Sequence, residues 1–433
     1  NVTVIDPVAG ARPAQRVVIR EGRIVSVSPQ NEGGEPVAET VEASGLYVIP
    51  GLWDMHVHFL YEEALTEVMA GLFLDYGITS VRDTGGDLEE MQRITKAMAA
   101  DPDDEPNIYY SGPLLDGPFV VYDGGDPGRP KLGTGIPDAA TARAYVAELK
   151  AAGASFIKIY ELVSPEVFEV LAAEARAAGM PIASHVPLLM TADSAGPLAD
   201  SMEHLRNLEL ACASNWEELL AERRRIIGEF VEGRGYDLRS SLHSLQRIPA
   251  IEAYDEARCD EVLGSLGQTI QVPTLRLNTV AIERPFEDPD WPRALSALPE
   301  SVIDAWLASA GQMSQNAPLA DPTFSRWSQF LITRLKASGV PVGAGTDTPI
   351  GIGIPGWSLH TELAQLVAAG LTPREALYAA TVQAARFLNL EQEVGRIEPG
   401  MRADLVLLEA DPLADINNTR QISRVMLDGR WVR

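Results

Sequence analysis

The sequence predicts an α/β protein, a (β/α)8 barrel (TIM-barrel fold) that carries a small β-sandwich built from both chain ends. Alanine-rich helical segments repeatedly end at a glycine and are followed by a short apolar run, as at Gly77, Gly153, Gly179 and Gly339. This alternation is typical of parallel βαβ units. An open doubly wound sheet is the competing fold, but it predicts a glycine-rich phosphate loop after the first strand, and none is present.

The candidate barrel strands are short and apolar, as expected for strands that are buried on both faces. In chain order they are 52–59, 78–82, 107–115, 156–160, 182–186, 201–205, 269–275 and 340–344. Their number is the number that a (β/α)8 barrel requires.

Both ends of the chain are rich in β-branched runs that are too few to form a stable module separately. The N-terminal runs are 2–5, 16–20, 23–27 and 47–49, and the C-terminal runs are 395–397, 403–408, 423–427 and 431–432. We therefore expect residues 1–49 and 391–433 to share one β-sandwich. Residues 50–390 then form the barrel, with a helical insertion near 214–262.

Composition restricts the possible partners. The chain has 433 residues, 46% of them hydrophobic, and a formal charge of −26. Nucleic acid and anionic membranes are poor partners for such a surface, and no apolar run reaches the length of a membrane span. We expect a small-molecule substrate and a homo-oligomer.

The remaining features leave the compartment open. Cys212 and Cys259 neither require nor exclude a disulfide. The chain begins at Asn1 without Met or a signal-like segment, and we expect that its N-terminus has been trimmed.

Potential metal ligands end several of the predicted strands. His56 and His58 are two residues apart on the first strand and therefore point to the same face. Further candidates, each at the end of its own strand, are Lys158, His185, His204 and Asp347. Any one of them alone fits a packing or capping role. Because functional groups in a (β/α)8 barrel lie at the C-terminal strand ends, their joint placement predicts one site there.

These motifs give the chain its resemblance to a known family. The segments that carry it are 50–58, the Lys158, His185 and His204 strands, 344–347, 359–363, 371–377 and 395–406. The chain resembles the amidohydrolase superfamily of metal-dependent hydrolases, and more narrowly its imidazolonepropionase-related and Xaa-Pro dipeptidase branch. The resemblance implies that His56, His58 and Asp347 hold one metal, that His185 and His204 hold another, and that a carboxylated Lys158 bridges them.

The ligand chemistry agrees with that implication. Imidazole and carboxylate ligands without thiolate favour Zn²⁺, and Mn²⁺, Co²⁺, Ni²⁺ and Fe²⁺ also fit. Two such metals acidify a shared water and polarise a carbonyl, and Asp347 could transfer the proton to the leaving group. The family also includes members with one metal.

Substrate-binding candidates are Tyr160, Arg82, Arg206 and Arg276. Tyr160 shares a strand face with Lys158 and could polarise a carbonyl, although a packing role fits it as well. The arginines could bind a substrate carboxylate, although arginines at strand ends commonly pair within the protein. His360 could orient Asp347 from a second layer. His243, in the insertion, is expected to be a surface or lid residue.

Three functions remain open. The first is hydrolysis of an amide or peptide C–N bond in a dipeptide or N-acyl amino acid. The second, on the same site, is opening of a lactone or cyclic amide, or deamination. The third is a non-catalytic assembly module, which is disfavoured because such relatives typically lose ligands that are all present here.

Overall fold

The computed structural model describes residues 1–32, 39–98, 105–126, 128–315 and 321–433. The strands, in chain order, are β1 Val2–Asp6, β2 Gly10–Arg20, β3 Arg23–Pro29, β4 Tyr47–Pro50, β5 Leu52–Val57, β6 Ile78–Asp83, β7 Asn107–Tyr110, β8 Leu114–Asp116, β9 Asp123–Asp126, β10 Arg129–Lys131, β11 Gly133–Gly135, β12 Ile157–Ile159, β13 Ile182–Ser184, β14 Ser201–Glu203, β15 Ile270–Val272, β16 Leu405–Leu408, β17 Ile422–Leu427 and β18 Arg430–Trp431.

Helices fill the segments between these strands. They are α1 Met69–Asp75, α2 Leu88–Met98, α3 Ala139–Ala151, α4 Pro165–Ala177, α5 Ala192–Ala195, α6 Leu208–Ala211, α7 Trp216–Glu229, α8 Gly235–Glu252, α9 Glu256–Ser265, α10 Leu275–Asn278, α11 Trp291–Leu295, α12 Glu300–Gln315, α13 Thr323–Ala337, α14 Trp357–Ala368, α15 Pro373–Ala379 and α16 Val382–Phe387. Short 3₁₀ turns cover Glu63–Leu65, Gly196–Leu198, Pro285–Glu287 and Ile416–Arg420.

The two chain ends meet in one sheet. Its strand order is β18-β17-β16-β4-β1-β2-β3, so C-terminal β16 pairs directly with N-terminal β4. Apolar residues of both ends, including Val4, Val48, Leu405 and Leu407, form a separate core on this sheet. The strand predicted at 395–397 does not form, because this segment is a loop in which the amide of Ile397 donates to the Asp6 carboxylate.

The central part of the chain alternates parallel strands with helices. One parallel sheet has the order β5-β6-β7, and another has the order β11-β8-β12-β13-β14-β15. Lone parallel bridges join Val57 to Thr348 and Gln271 to Val342. The segment predicted as the eighth strand, 340–344, has no assigned strand, but it bridges to Gln271 of β15 through Val342, and its Ala344 carbonyl accepts from the amide of Met55 in β5. Glycine caps were predicted correctly, since the four caps all have positive φ: Gly77, Gly153, Gly179 and Gly339.

The predicted insertion is the helical group α7, α8 and α9. Cys212, at the end of α6, and Cys259, in α9, form a disulfide that encloses α7 and α8. Both cysteines are fully buried. Among the described residues, no helix has the length and apolar character needed to cross a membrane.

Candidate metal centre and its pocket

Backbone hydrogen bonds between neighbouring strand ends bring the candidate ligands together. The amide of Asp347 donates to the carbonyl of His56 over 2.7 Å, and the amide of His58 donates to the carbonyl of Thr348 over 2.9 Å. The segment after residue 344 is thus fastened along β5. Both His204 and Asp347 adopt left-handed backbone conformations, with φ of 66° and 61°. Non-glycine residues in this conformation are typical of sites where the surrounding fold imposes a side-chain direction.

Asp347 is the meeting point of three imidazoles. Its Oδ1 lies 3.1 Å from His58 Nε2 and 3.2 Å from His56 Nε2, and its Oδ2 lies 3.9 Å from His204 Nδ1. Potential ligand atoms of His56, His204 and Asp347 all lie within 4.8 Å of one another. His185 joins this group through its ring, whose centroid is 4.7 Å from that of His204.

Carboxylates fix the orientation of two of these histidines. His56 Nδ1 lies 2.7 Å from Glu203 Oε2, and His185 Nδ1 lies 2.7 Å from Glu161 Oε1. A carboxylate can only accept, so each Nδ1 carries the hydrogen and each Nε2 keeps its lone pair. Imidazole ligands of metals are commonly held in this way.

Burial keeps two imidazoles neutral. It lowers the pKa of both His185 and His204 well below the usual range, with the charge of Lys158 adding to the effect at His185. At His58, burial lowers the pKa, but the Asp347 carboxylate outweighs it and the net pKa is raised. Neutral imidazole is the form that binds metals.

Lys158 is an isolated lysine in the interior. Its side chain is fully buried, and its Nζ has no hydrogen-bond partner among the described residues. The Glu203 carboxylate lies 4.0 Å away. Burial lowers the pKa of Lys158 to about 8, although Glu203 opposes the shift. A larger fraction of the amine is therefore neutral near pH 7 than for an ordinary lysine.

The ligand group forms the floor of a cavity of about 460 Å³. Four tyrosines and four arginines contribute to its lining: Tyr61, Tyr122, Tyr160, Tyr236, Arg129, Arg206, Arg239 and Arg247. The Tyr160 ring lies 4.5 Å from the His185 ring. Burial raises the pKa of Tyr160 well above 10, so its hydroxyl stays protonated and can donate a hydrogen bond.

Two of the three arginines predicted to bind substrate form hydrogen bonds within the protein instead. Arg82 is buried below the floor, where it donates to Glu203, Ser201 and the carbonyl of Met55. Arg276 donates to the carbonyls of Thr346, Ile350 and Gly351. In both arginines, each of the three guanidinium nitrogens donates a hydrogen bond within the protein. Arg206 does line the cavity.

The prediction for His360 is wrong. Its Nδ1 lies 2.8 Å from Thr419 Oγ1, and its Nε2 lies 3.0 Å from the carbonyl of Tyr76. It therefore joins α14 to the chain around Tyr76 and Thr419 and does not reach Asp347. Sequence reasoning placed it in the first turn of a helix after the site loop but could not determine which way that turn faces.

For His243, the expectation of a surface position is also wrong. It is buried rather than superficial, and its Nε2 lies 2.6 Å from Glu161 Oε2. Arg239, one turn earlier in α8, donates to Glu161 Oε1 over 2.8 Å. The inserted helix therefore packs against the carboxylate that orients His185.

Sequence reasoning missed the carboxylates Glu161 and Glu203 and the arginines of α8. A local signal existed for the carboxylates, since Glu203 immediately precedes His204 and Glu161 follows the Lys158 strand. An acidic residue beside a ligand-bearing strand end is a candidate for orienting an imidazole. For Arg239 and Arg247 no local signal existed, because their position depends on how α8 folds back.

The chain is similar in sequence to several known proteins. The profile of the amidohydrolase family matches residues 326–432. Imidazolonepropionase of Symbiobacterium thermophilum is 24% identical over 410 residues, which are 92% of this chain and 85% of that protein. Imidazolonepropionase of Cereibacter sphaeroides is 35% identical over 116 residues, 26% of this chain, so the match spans only 28% of that relative.

The fold has a close counterpart among solved structures. A Xaa-Pro dipeptidase with bound methionine in the active site superposes with a TM-score of 0.69 at 18% identity, covering 99% of this chain and 97% of that chain. At this identity the likeness concerns the fold. Together, these comparisons show that residues 326–432 match the amidohydrolase family, that the whole chain is similar to an imidazolonepropionase, and that its fold is similar to that of a Xaa-Pro dipeptidase.

Proposed function

We propose that this protein is a metal-dependent hydrolase that cleaves an amide or peptide C–N bond in a small substrate of the dipeptide or N-acyl amino acid type. The observation that carries the proposal is the convergence of buried imidazoles on Asp347 beside an unpartnered Lys158, at the floor of a cavity. The names of the relatives, imidazolonepropionase and Xaa-Pro dipeptidase, support a hydrolase of C–N bonds.

We further infer that the two parallel sheets belong to one closed (β/α)8 barrel. Support comes from β7 and β8, which follow each other closely and belong to different sheets, and from the bridges that place residues 342–348 between β15 and β5. The site then lies at the C-terminal strand ends, where (β/α)8 enzymes carry out their chemistry.

The residues present fit a pair of divalent metals. Lys158 Nζ and Asp347 Oδ1 are buried atoms without hydrogen bonds among the described residues, although each lies close to charged or ligand-type groups. His56, His58, Asp347, His185 and His204 would hold the metals, most readily Zn²⁺, and a carboxylated Lys158 would join them. When bound, the metals would supply an acidified water and polarise the substrate carbonyl.

The side chains of the protein then have distinct tasks. Asp347 is placed to accept the proton of the attacking water on its carboxylate and to return it to the leaving nitrogen. Tyr160, protonated beside His185, is placed to donate to the carbonyl oxygen as negative charge develops there. Glu203 and Glu161 hold the imidazoles of His56 and His185 in one orientation during turnover.

Asp347→Asn tests this proposal. Protein purified with bicarbonate and Zn²⁺ should bind metal and hydrolyse at least one member of a panel of dipeptides, N-acyl amino acids and lactones. The Asn variant keeps a metal-facing oxygen but cannot carry the proton, so kcat should fall by roughly 100- to 10,000-fold. Elemental analysis of the same sample separates loss of metal from loss of proton transfer.

Asp138→Asn provides a matched control, because Asp138 is the exposed N-cap of α3 and asparagine caps equally well. Activity within a few-fold of the parent in a fully metallated Asp347→Asn protein would contradict the role of Asp347. Turnover of lactones without any turnover of amides would move the assignment to the alternative function on the same site.

A further inference from the structure

One face of the inserted helix α8 points toward the cavity. Arg239, His243 and Arg247 are four residues apart and therefore lie along the same side of the helix. The first two bind the Glu161 carboxylate that orients His185, although His243 Nδ1 has no hydrogen-bond partner among the described residues. They are positioning residues. Arg247, one turn further along, lines the same cavity but has a different environment.

Arg247 is held without hydrogen bonds to the described residues. Its Nε is buried and unpartnered, and the closest anion is Glu209, whose Oε1 lies 3.5 Å from that nitrogen. The ring of Phe324 packs against the guanidinium, with the ring centroid 4.0 Å from Arg247 Cζ. Charge attraction and stacking thus fix the plane of the guanidinium, while its donors remain available.

Glu209 is equally unusual. Its side chain is completely buried, and neither carboxylate oxygen has a hydrogen-bond partner among the described residues. A buried carboxylate without hydrogen bonds is destabilising unless a positive charge lies nearby. Its position beside Arg247 indicates that it balances that guanidinium when the cavity is empty.

The cavity lining contains both aromatic and cationic side chains. The rings of Tyr61, Tyr122 and Tyr160 pack edge to face, with centroids 6.0 to 6.4 Å apart, over an apolar cluster, and they form the tyrosine side of the cavity. Arg247 lines the same cavity together with Asn278, which donates to the carbonyl of His204. In a chain of net charge −26, a cavity lined by arginine attracts an anion locally.

We propose that Arg247, supported by Glu209, is a specificity-determining residue that binds a carboxylate of the substrate, while the tyrosine side receives its apolar acyl portion. This proposal rests on the proposed hydrolase function and defines its substrate class as an acidic amide with a bulky apolar acyl group. Arginine matches the geometry of a carboxylate, and hydrogen bonds between charged groups discriminate strongly where water is excluded.

The test compares an N-acyl amino acid with its C-terminal carboxamide. The parent should prefer the acid. Arg247→Met keeps much of the side-chain length but removes the charge, so KM for the acid should rise by roughly 10- to 100-fold while kcat stays within a few-fold. The carboxamide should be almost unaffected. Arg247→Lys should recover part of the preference.

Two further variants control for stability and specificity. Arg247→Met leaves Glu209 as an unpaired buried charge, so Arg247→Met combined with Glu209→Gln restores neutrality and should still lack the acid preference. Arg225→Met serves as the matched control, because Arg225 lies exposed on α7 and binds Glu229. It should behave as the parent.

Calorimetric titration of the same acid and carboxamide, on metal-free protein, examines the inference without turnover. Weaker binding of the acid, specifically in the Arg247 variants, supports it. Equal acid preference in parent and Arg247→Met, or no acid binding by the parent, overturns it. Absence of turnover with intact acid-selective binding would instead contradict the proposed hydrolase function and leave the Arg247 assignment standing.

Discussion

At the scale of single residues, the site is organised by a layer of buried carboxylates beneath the imidazoles. Glu203 accepts from His56 and from Arg82, and Glu161 accepts from His185, Arg239 and His243. Each carboxylate is therefore shared between at least one histidine and one arginine. The cation keeps the carboxylate ionised, and the ionised carboxylate keeps the histidine hydrogen on Nδ1. This coupling fixes the direction of each Nε2 without help from a ligand.

A third buried carboxylate, that of Glu362, has a raised pKa instead of a lowered one. Glu362 in α14 accepts from the Arg276 amide over 2.8 Å, but its Oε1 has no partner among the described residues. Burial raises the pKa of Glu362 from 4.5 to about 8. The stability that its protonated form provides is thus fully present below about pH 4.5 and is lost as pH rises through about 8.

We expect Glu362→Gln to remove this dependence. The amide oxygen can still accept from the Arg276 amide, and no charge has to be buried at high pH. The parent should lose several degrees of Tm between pH 6 and pH 9, and the variant should lose clearly less. Thermal melts at both pH values measure this, with the exposed Glu166→Gln as control. An equal loss in parent and Glu362→Gln would show that another group titrates.

The sequence could predict which side chains converge on Asp347 but not the residues that support them, for a physical reason. His56, His58, His185, His204 and Asp347 are found from pattern alone, because parallel strands must bring their C-terminal ends to one place. The partners Arg239 and Arg247 belong to a helix whose direction is decided by tertiary packing. His360 shows the same limit in reverse, since its proximity in sequence to the site loop does not place it near Asp347.

At the scale of elements, the insertion is built into the site rather than added to its rim. Helix α8 supplies Arg239 and His243 to Glu161 and Arg247 to the cavity wall. The disulfide between Cys212 and Cys259 joins α6 to α9 and closes the loop that contains α7 and α8. Because α6 follows His204 closely, the cross-link holds the inserted helices near the ligand-bearing strand end.

Replacing both cysteines by alanine tests the contribution of this cross-link. Closing a loop of 47 residues removes chain entropy from the unfolded state and is worth up to about 4 kcal/mol. We expect a lower Tm, together with losses of both acid preference and kcat, because Arg247 and the residues that position Glu161 (Arg239 and His243) all lie inside the closed loop. Thiol titration of the denatured parent, with and without reductant, provides the control. Two free thiols without reductant, or an unchanged Tm, would contradict the cross-link.

At the scale of the whole molecule, the two chain ends depend on each other. Strand β16 stands between β4 and β17, so the C-terminal segment supplies interior strands of the sheet rather than an edge. The sequence indicated that the ends would meet, because each end carried too few strands to be stable separately. It predicted a sandwich, whereas the pairing describes one continuous sheet with its own core.

We therefore expect that a chain without residues 392–433 is insoluble. The deletion removes β16, β17 and β18, opens the edge of β4, and uncovers Val4 and Val48 of the shared core. An open edge beside exposed apolar residues favours association between chains. We expect aggregation in light scattering and loss of the main thermal transition.

Deletion of 429–433 is the matched control, because it removes only β18 at the edge and should leave a soluble protein. A monomeric 1–391 fragment that melts at the temperature of the parent would show that the central α/β part of the chain folds without the shared sheet.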